Sequence, residues 1–266
     1  MPPESTSQGR DLGRFFLESI DPPRLSEEDA RHATRVLRAS AGDGLVGLDG
    51  RGLRQPLEVV ACGKRQLELR AVGEMSHTPP PGASGSLLPA IEVACAPPRP
   101  NRIEALVDRL TQLGVARIQF LGCRRTGPED RRPKRSRLER VMREAAKQSG
   151  NDWLPELPEL IELESLTESE ALSVVAHPSA TRSLLEELTT ATDRLRSRTA
   201  APEGQRPEPS LRLLIGPEGG FDEAELARLT AGGATPVGLG PTILRIETAA
   251  EAGSSLAVQI GTTQSP

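Results

Sequence analysis

Tyrosine is absent from the 266-residue sequence, and the aromatic side chains reduce to Phe15, Phe16, Phe120, Phe221 and Trp153. Platforms for stacking single-stranded bases are therefore scarce. Cys62, Cys95 and Cys123 are odd in number and widely spaced. They fit neither a disulfide framework nor a zinc site, so no metal is expected, and a reducing cytoplasm is the expected location. No apolar run reaches ~18 residues, so no membrane span is expected. The first residues, MPPESTSQGR, lack the apolar stretch of a signal peptide. Nor is there an overall excess of positive charge. The net charge of −4 argues against a uniformly basic nucleic-acid binder. The charge is unevenly placed, however. Arg124 to Lys147 holds ten Lys/Arg against four Asp/Glu, and Glu156 to Glu170 holds six Glu and no base. Any RNA face is local.

What the sequence does have is concentrated between Leu211 and Val258. Leu211-Arg212-Leu213-Leu214-Ile215 reads as a buried strand. It stops at Gly216-Pro217-Glu218-Gly219-Gly220, where glycines let a ligand approach the main chain. Asp222 is placed as the N-cap of a helix through about Ala231, ended by Gly232-Gly233. Pro236 to Gly240 gives a second short strand and glycine turn, and Ile243 to Ala249 leads into a last helix. Strand, glycine loop and helix, twice over, is the pattern of an α/β site at strand C-termini. Neither loop is GxxxxGK[ST] or GxGxxG. A phosphate is therefore not the expected ligand, and a nucleotide-dependent oxidoreductase lacks its fingerprint.

GPEGGF (216–221) and LGPTILRIETA (239–249) resemble the bacterial 16S ribosomal RNA (uracil-N3)-methyltransferases. These are S-adenosyl-L-methionine enzymes of the SPOUT class. The resemblance runs over nearly the whole chain. It implies an α/β fold with an N-terminal PUA-like β-barrel and a C-terminal SPOUT domain tied in a trefoil knot. Ordinary connection rules would instead give an unknotted doubly wound sheet. It also implies a homodimer and, as substrate, the 16S rRNA of the small ribosomal subunit. The rival readings are a knotted methyltransferase acting on tRNA and a non-catalytic RNA-binding or ribosome-assembly protein.

Taken in order, residues 1–13 read as disordered and residues 14–74 as the small β-rich domain, with a helix from Ser26 to about Arg38. RFF, HATRVLR and GDGLVGLDGRG are similar to the PUA-like domain, whose implied task is to hold RNA, and this makes Arg14 a candidate contact. Arg31, Arg35 and Arg38 share one helical side, either as a solvated face or as a stripe touching phosphates. Residues 75–89 have the composition of a linker. The second domain spans 90–266 and opens with strand Ala90–Ala96, helix Asn101–Leu113 and strand Val115–Leu121. Residues 190–210 read as a mobile insertion.

The chemistry expected of the resemblance is displacement at a sulfonium methyl by N3 of uridine. A cation near O2 or O4 would favour the N3 anion. Arg125 and Arg245 are the catalytic candidates, with Glu247 either orienting Arg245 or serving as a first-turn acid. For the donor, the candidates are His177 and Pro178 after the strand Ala171–Ala176, and Gly216, Glu218 and Gly219 in the first loop. Leu239, Gly240, Ile243 and Leu244 join them from the second. Glu218 either balances the sulfonium or pairs with an arginine. His177 is either a pocket wall or a turn residue. The family places an acid where Arg124 stands, and Arg124 is a candidate RNA contact. Gln112, Lys147 and Asn151 also depart from the family pattern, so the family's contacts at those positions do not carry over.

Overall fold

The computed structural model describes residues 9–63, 65–127, 134–166, 169–197 and 205–262, and the chain divides into two compact units between Thr78 and Pro79. In the first unit β1 (Asp11–Ile20), β2 (Pro23–Leu25), α1 (Glu27–Arg35), β3 (Gly44–Leu48), β4 (Leu53–Cys62), β5 (Leu67–Ala71) and β6 (Ser76–His77) follow one another. The sheet runs β2-β1-β3-β4-β5, with β6 on β4, and only the β1–β3 pair among them is parallel. β2 also lies against β5, which brings the ends of the sheet together like a barrel. Leu53, Gln55, Leu57 and Val59 alternate inward along β4, as the two-residue repeat of a strand dictates. Leu57 and Val59 pack with Phe15, Leu25, Leu45 and the buried Ala30 and Ala33 of α1.

Three expectations for this part of the chain need correction. Residues 11–13 are strand rather than disordered, because Arg10 is tied across the chain. Its N–H donates to Asp43 Oδ1 at 2.9 Å and its carbonyl accepts from the N–H of Gly44 at 2.8 Å. Residues 1–8 lie outside the described residues. The helix stops at Arg35, and Arg38 takes a left-handed φ of 55°. There the N–H of Ala39 turns back to the carbonyl of Ala33, a closure that usually uses glycine. Arg38 therefore drops out of the helical stripe, leaving Arg31 and Arg35 exposed on α1 and Arg14 half-buried on β1. The segment 75–89 is not a free tether either. Ser76–His77 pairs with β4, while Pro80 to Ala83 are buried in the second unit.

The second unit contains β7 (Ile91–Cys95), α2 (Pro100–Gln112), β8 (Arg117–Gly122), α3 (Arg135–Ser149), β9 (Ile161–Glu162), β10 (Leu172–Ala176), α4 (Leu184–Thr190), α5 (Thr192–Arg196), β11 (Leu211–Ile215), α6 (Glu223–Ala231), β12 (Thr235–Val237) and α7 (Ile246–Thr262). The strands pair in parallel in the order β12-β10-β11-β7-β8-β9. β7 and β11 are buried throughout, which explains their unbroken apolar runs. The exception is Arg212 opposite Glu92, paired at 2.7 Å across β11 and β7 with both side chains buried. α7 packs on α2, α4 and α5 and onto β7 and β11.

Several departures from the family pattern have structural occupations. Asn151 Nδ2 donates to the carbonyl of Thr111 at 2.6 Å and of Gln112 at 3.3 Å, adding a side-chain donor to the last carbonyls of α2. Gln112 donates to Asp108, and Lys147 pairs with Glu144. The stretch read as an insertion has contacts with the rest of the unit at its edges. Thr192–Arg196 is helical with Leu195 fully buried, and Arg206 donates to the carbonyls of Ala116 and Leu154. Arg206 also lies 4.8 Å over the buried ring of Trp153, which packs rather than offering a free stacking surface. Residues 198–204 lie outside the described residues.

Candidate functional site

Because β10, β11 and β12 are parallel neighbours, the loops that follow them emerge along one edge of the sheet. This is the edge where open α/β sheets bind ligands. A cavity of about 650 Å³ lies there, walled by these loops and by Arg99, Arg102 and Arg125. That volume is ordinary for a small-molecule site. All nine residues expected around the donor line it. His177 and Pro178 follow β10, Gly216, Glu218 and Gly219 follow β11, and Leu239, Gly240, Ile243 and Leu244 follow β12. Arg125 and Arg245 line it too, whereas Glu247 does not.

The loop after β11 is folded tightly on itself. A methyl group on Gly216 would sit 3.0 Å from both the backbone nitrogen and the ring of Phe221, and Phe221 is buried. Glycine is needed there for close packing. Gly220 needs it for its φ of +71°. Asp222 caps α6 through a capping box with Glu225. The backbone N–H of Glu225 holds the Asp222 carboxyl below its usual range, and Arg124 beside it acts in the same direction. Arg124 is thereby engaged: its guanidinium donates to Asp222 at 3.2 Å and its backbone N–H to Glu225 at 2.8 Å. Where the family has an acid, this chain has an arginine that pairs with the cap of α6.

Much of the charge at the rim is held in ion pairs, and Glu218 takes the arginine-pairing one of its two readings. Glu218 is paired with Arg99 at 3.1 Å and Arg102 at 3.6 Å. Arg102 also reaches Glu247 at 3.6 Å. Glu247, buried in the first turn of α7, thus faces Arg102 rather than orienting Arg245. The side chain of Arg245 is exposed and makes no hydrogen bond or ion pair among the described residues. Arg125 Nη1 donates to the carbonyl of Gly219 at 2.6 Å. Leu239 and Leu244 are half-buried against the core, but Ile243 is 84% exposed and adds little to an apolar wall. His177 combines both of its readings. It lines the cavity and also closes a turn, accepting the N–H of Ser179 on Nδ1 at 3.3 Å.

Burial pushes the thiols of Cys95 and Cys123 up to about 12. Both stay protonated near neutral pH, so neither supplies the thiolate of a covalent mechanism. Among the described residues no cluster of three metal-ligating side chains occurs, and no helix is long and apolar enough to cross a membrane.

A family model described as the RNA methyltransferase domain matches residues 86–258. The chain belongs to that family. Among RNA methyltransferases of known name, it is 32% identical to the Ribosomal RNA small subunit methyltransferase E of Synechocystis sp. over 229 residues, 85% of this chain and 69% of that one. The structure of a "probable rRNA-methyltransferase" from Porphyromonas gingivalis superposes with a TM-score of 0.73 at 26% identity, covering 91% of this chain and 95% of the other. A Ribosomal RNA small subunit methyltransferase E from Neisseria gonorrhoeae, solved bound to S-adenosyl methionine, shares the fold with a TM-score of 0.71 at 22% identity, covering 91% and 95%. The matched region contains the whole of the 650 Å³ cavity's lining.

Two residues of this methyltransferase site escaped the sequence reading, Arg99 and Arg102. The signal was present. Arg99 is the N-cap of α2 and Arg102 lies in its first turn, where the helix dipole favours acids over bases. Cations placed there call for an acidic partner, and Glu218 and Glu247 are those partners.

Proposed function

We propose that this RNA methyltransferase uses S-adenosyl-L-methionine to methylate N3 of a uridine in the 16S rRNA of the small ribosomal subunit. The observation that carries the reading is one cavity bounded by both glycine loops at the C-terminal edge of a parallel sheet, in a chain of this family. The residues present suit the donor. Leu239 and Leu244 offer apolar walls for a purine, and the main chain of 216–220 offers polar groups at its edge. Glu218, paired with Arg99 and Arg102, brings a carboxylate to the cavity lining. Bound there, the donor would supply an electrophilic methyl group on a positively charged sulfur.

Arg125 and Arg245 are the arginines given a part in catalysis. Arg125 is fixed by Gly219 and keeps cationic N–H groups for the acceptor. Arg245 brings an unengaged guanidinium to the same rim. Positioned donors of this kind stabilise charge as it develops. Glu218 and Glu247 are each paired with arginine, so neither is assigned the part of a dedicated base, and the N3 proton passes to water. The protein is read as a cytoplasmic homodimer with a knotted second unit. The insertion of β11 between β7 and β10 supports the threading. Arg14, Arg31, Arg35 and Arg124 remain candidate RNA contacts.

The test is incubation with donor and small subunits lacking the modification, followed by mass spectrometry of the 16S rRNA nucleosides. N3-methyluridine is expected. Methylation of tRNA in its place, or donor binding without methylation of any RNA, would each select one of the rival readings.

A further inference from the structure

A second cavity, of about 690 Å³, adjoins the first. Its walls come from the start of α2, the loop after β8 and Pro217-Glu218, and Arg99, Arg125 and Glu218 border both cavities. Arg245 borders only the first. Among the described residues no aromatic side chain lines the second space, so a planar ligand there is held by hydrogen bonds and charge rather than by stacking. Arg99 and Arg125 are each committed through one nitrogen, Arg99 to Glu218 at 3.1 Å and Arg125 to the Gly219 carbonyl at 2.6 Å. A guanidinium carries five N–H donors, so both retain donors for a ligand. Arg99 also makes no capping bond to α2, and its place at a helix N-terminus is electrostatically unfavourable. Its charge is accounted for by what it faces rather than by the helix it begins.

Resting on the function proposed above, we infer that this second cavity receives the target base, and that Arg99 and Arg125 hold the two carbonyl oxygens flanking its ring nitrogen. The chemical class that fits two cationic donors is a pyrimidine imide, with oxygen acceptors on either side of an ionisable N–H. Cytosine carries an amino group in place of one oxygen, and that amino group would meet an N–H donor with no acceptor between them. The arginines hold negative charge on the oxygens as the N3 proton leaves to water. N3 then forms its bond to the methyl carbon while the carbon–sulfur bond breaks and its electron pair stays on sulfur. Both arginines remain protonated throughout.

The experiment compares the wild type with Arg99→Gln and Arg99→Lys in three measurements. These are calorimetric binding of S-adenosyl-L-methionine, turnover on small subunits across pH, and turnover on the same RNA carrying 5-fluorouridine at the target. The ring fluorine lowers the N3 pKa without help from the protein. Arg99→Gln removes one partner of Glu218 and is expected to weaken donor binding by up to about tenfold, and with donor saturating to lose about 100-fold in kcat/KM for the RNA near neutral pH. Its rate should keep rising at pH values where the wild type has levelled, and 5-fluorouridine should recover most of the loss. Arg99→Lys should fall between the two. A loss that is equal on both acceptors and at every pH, or no loss, would overturn the assignment. Failure of the wild type to bind donor would instead strike at the first cavity, and the calorimetry separates that case.

Discussion

The loops after β11 and β12 look alike in sequence, each a glycine turn behind a short strand, yet the protein holds them in opposite ways. The first is anchored from several directions. Glu218 is paired with Arg99 and Arg102, the Gly219 carbonyl with Arg125, and the following helix is closed by the Asp222–Glu225 box. The second has no such tethers at its tip, where Ile243 is 84% exposed and Arg245 has no side-chain partner among the described residues. The contrast separates two tasks. A wall that must present its backbone to a ligand is fixed before binding, which lowers the cost of ordering it. The other loop keeps its side chains available for something that arrives later.

If the first loop is a prebuilt wall, its packing should be the most sensitive point. Gly216→Val adds atoms 3.0 Å from the backbone of Phe221, which cannot retreat. Overpacking of this kind costs about 1–3 kcal/mol, so donor affinity should fall by up to about 100-fold by calorimetry. Gly219→Ala should be milder, since its new methyl group meets the flexible Arg125 side chain at 3.2 Å. Equal effects at the two positions would break the distinction between a packed and a yielding neighbour.

The next largest effect on donor affinity is expected at Arg102. Replacing it by Met removes the cation shared by Glu218 and Glu247, and leaves Glu247, with 11% of its side chain exposed, facing no base. A buried charged group stripped of its partner costs up to about 3–5 kcal/mol. A lower melting temperature and roughly tenfold weaker donor binding should appear together. Loss of stability with unchanged donor affinity would mean that Arg102 braces α7 and not the loop.

How much of this was legible depended on how local each signal was. The strand Leu211–Ile215, the Asp222 cap and the glycine stop after Ala231 were readable, because an apolar run, a capping residue and a glycine act within a few positions. The linkage of Arg102 to Glu218 and Glu247 was not. These partners lie more than a hundred residues away in the chain, and nothing in either stretch names the other. The end of α1 was misread for a different reason: its left-handed closure uses Arg38 where a glycine would have announced it. Residues 11–13 look disordered by composition, and only the distant Asp43 and Gly44 make them a strand.

For the looser loop, Arg245→Ala should leave donor affinity within about threefold, because no hydrogen bond or ion pair of its side chain among the described residues is lost. Turnover should nevertheless fall about tenfold, less than the roughly 100-fold typical of a donor placed on the developing charge, because Arg245 borders the donor cavity and not the second one. Normal turnover with normal donor affinity would remove Arg245 from catalysis and leave the work to Arg125 and Arg99.

The smallest effect on folding should come from Ile243. At 84% exposure its side chain buries almost nothing within the chain, so Ile243→Ser should change unfolding stability by no more than about 0.5 kcal/mol. A single exposed apolar residue is ordinary on a protein surface, so Ile243 bears on assembly only where the partner subunit covers it. With that cover in the proposed homodimer, the same substitution should shift mass toward the monomer in light scattering at micromolar protein. A variant that unfolds more easily yet stays dimeric would reverse the comparison between the loops, making the second a packed element and the first the more tolerant one.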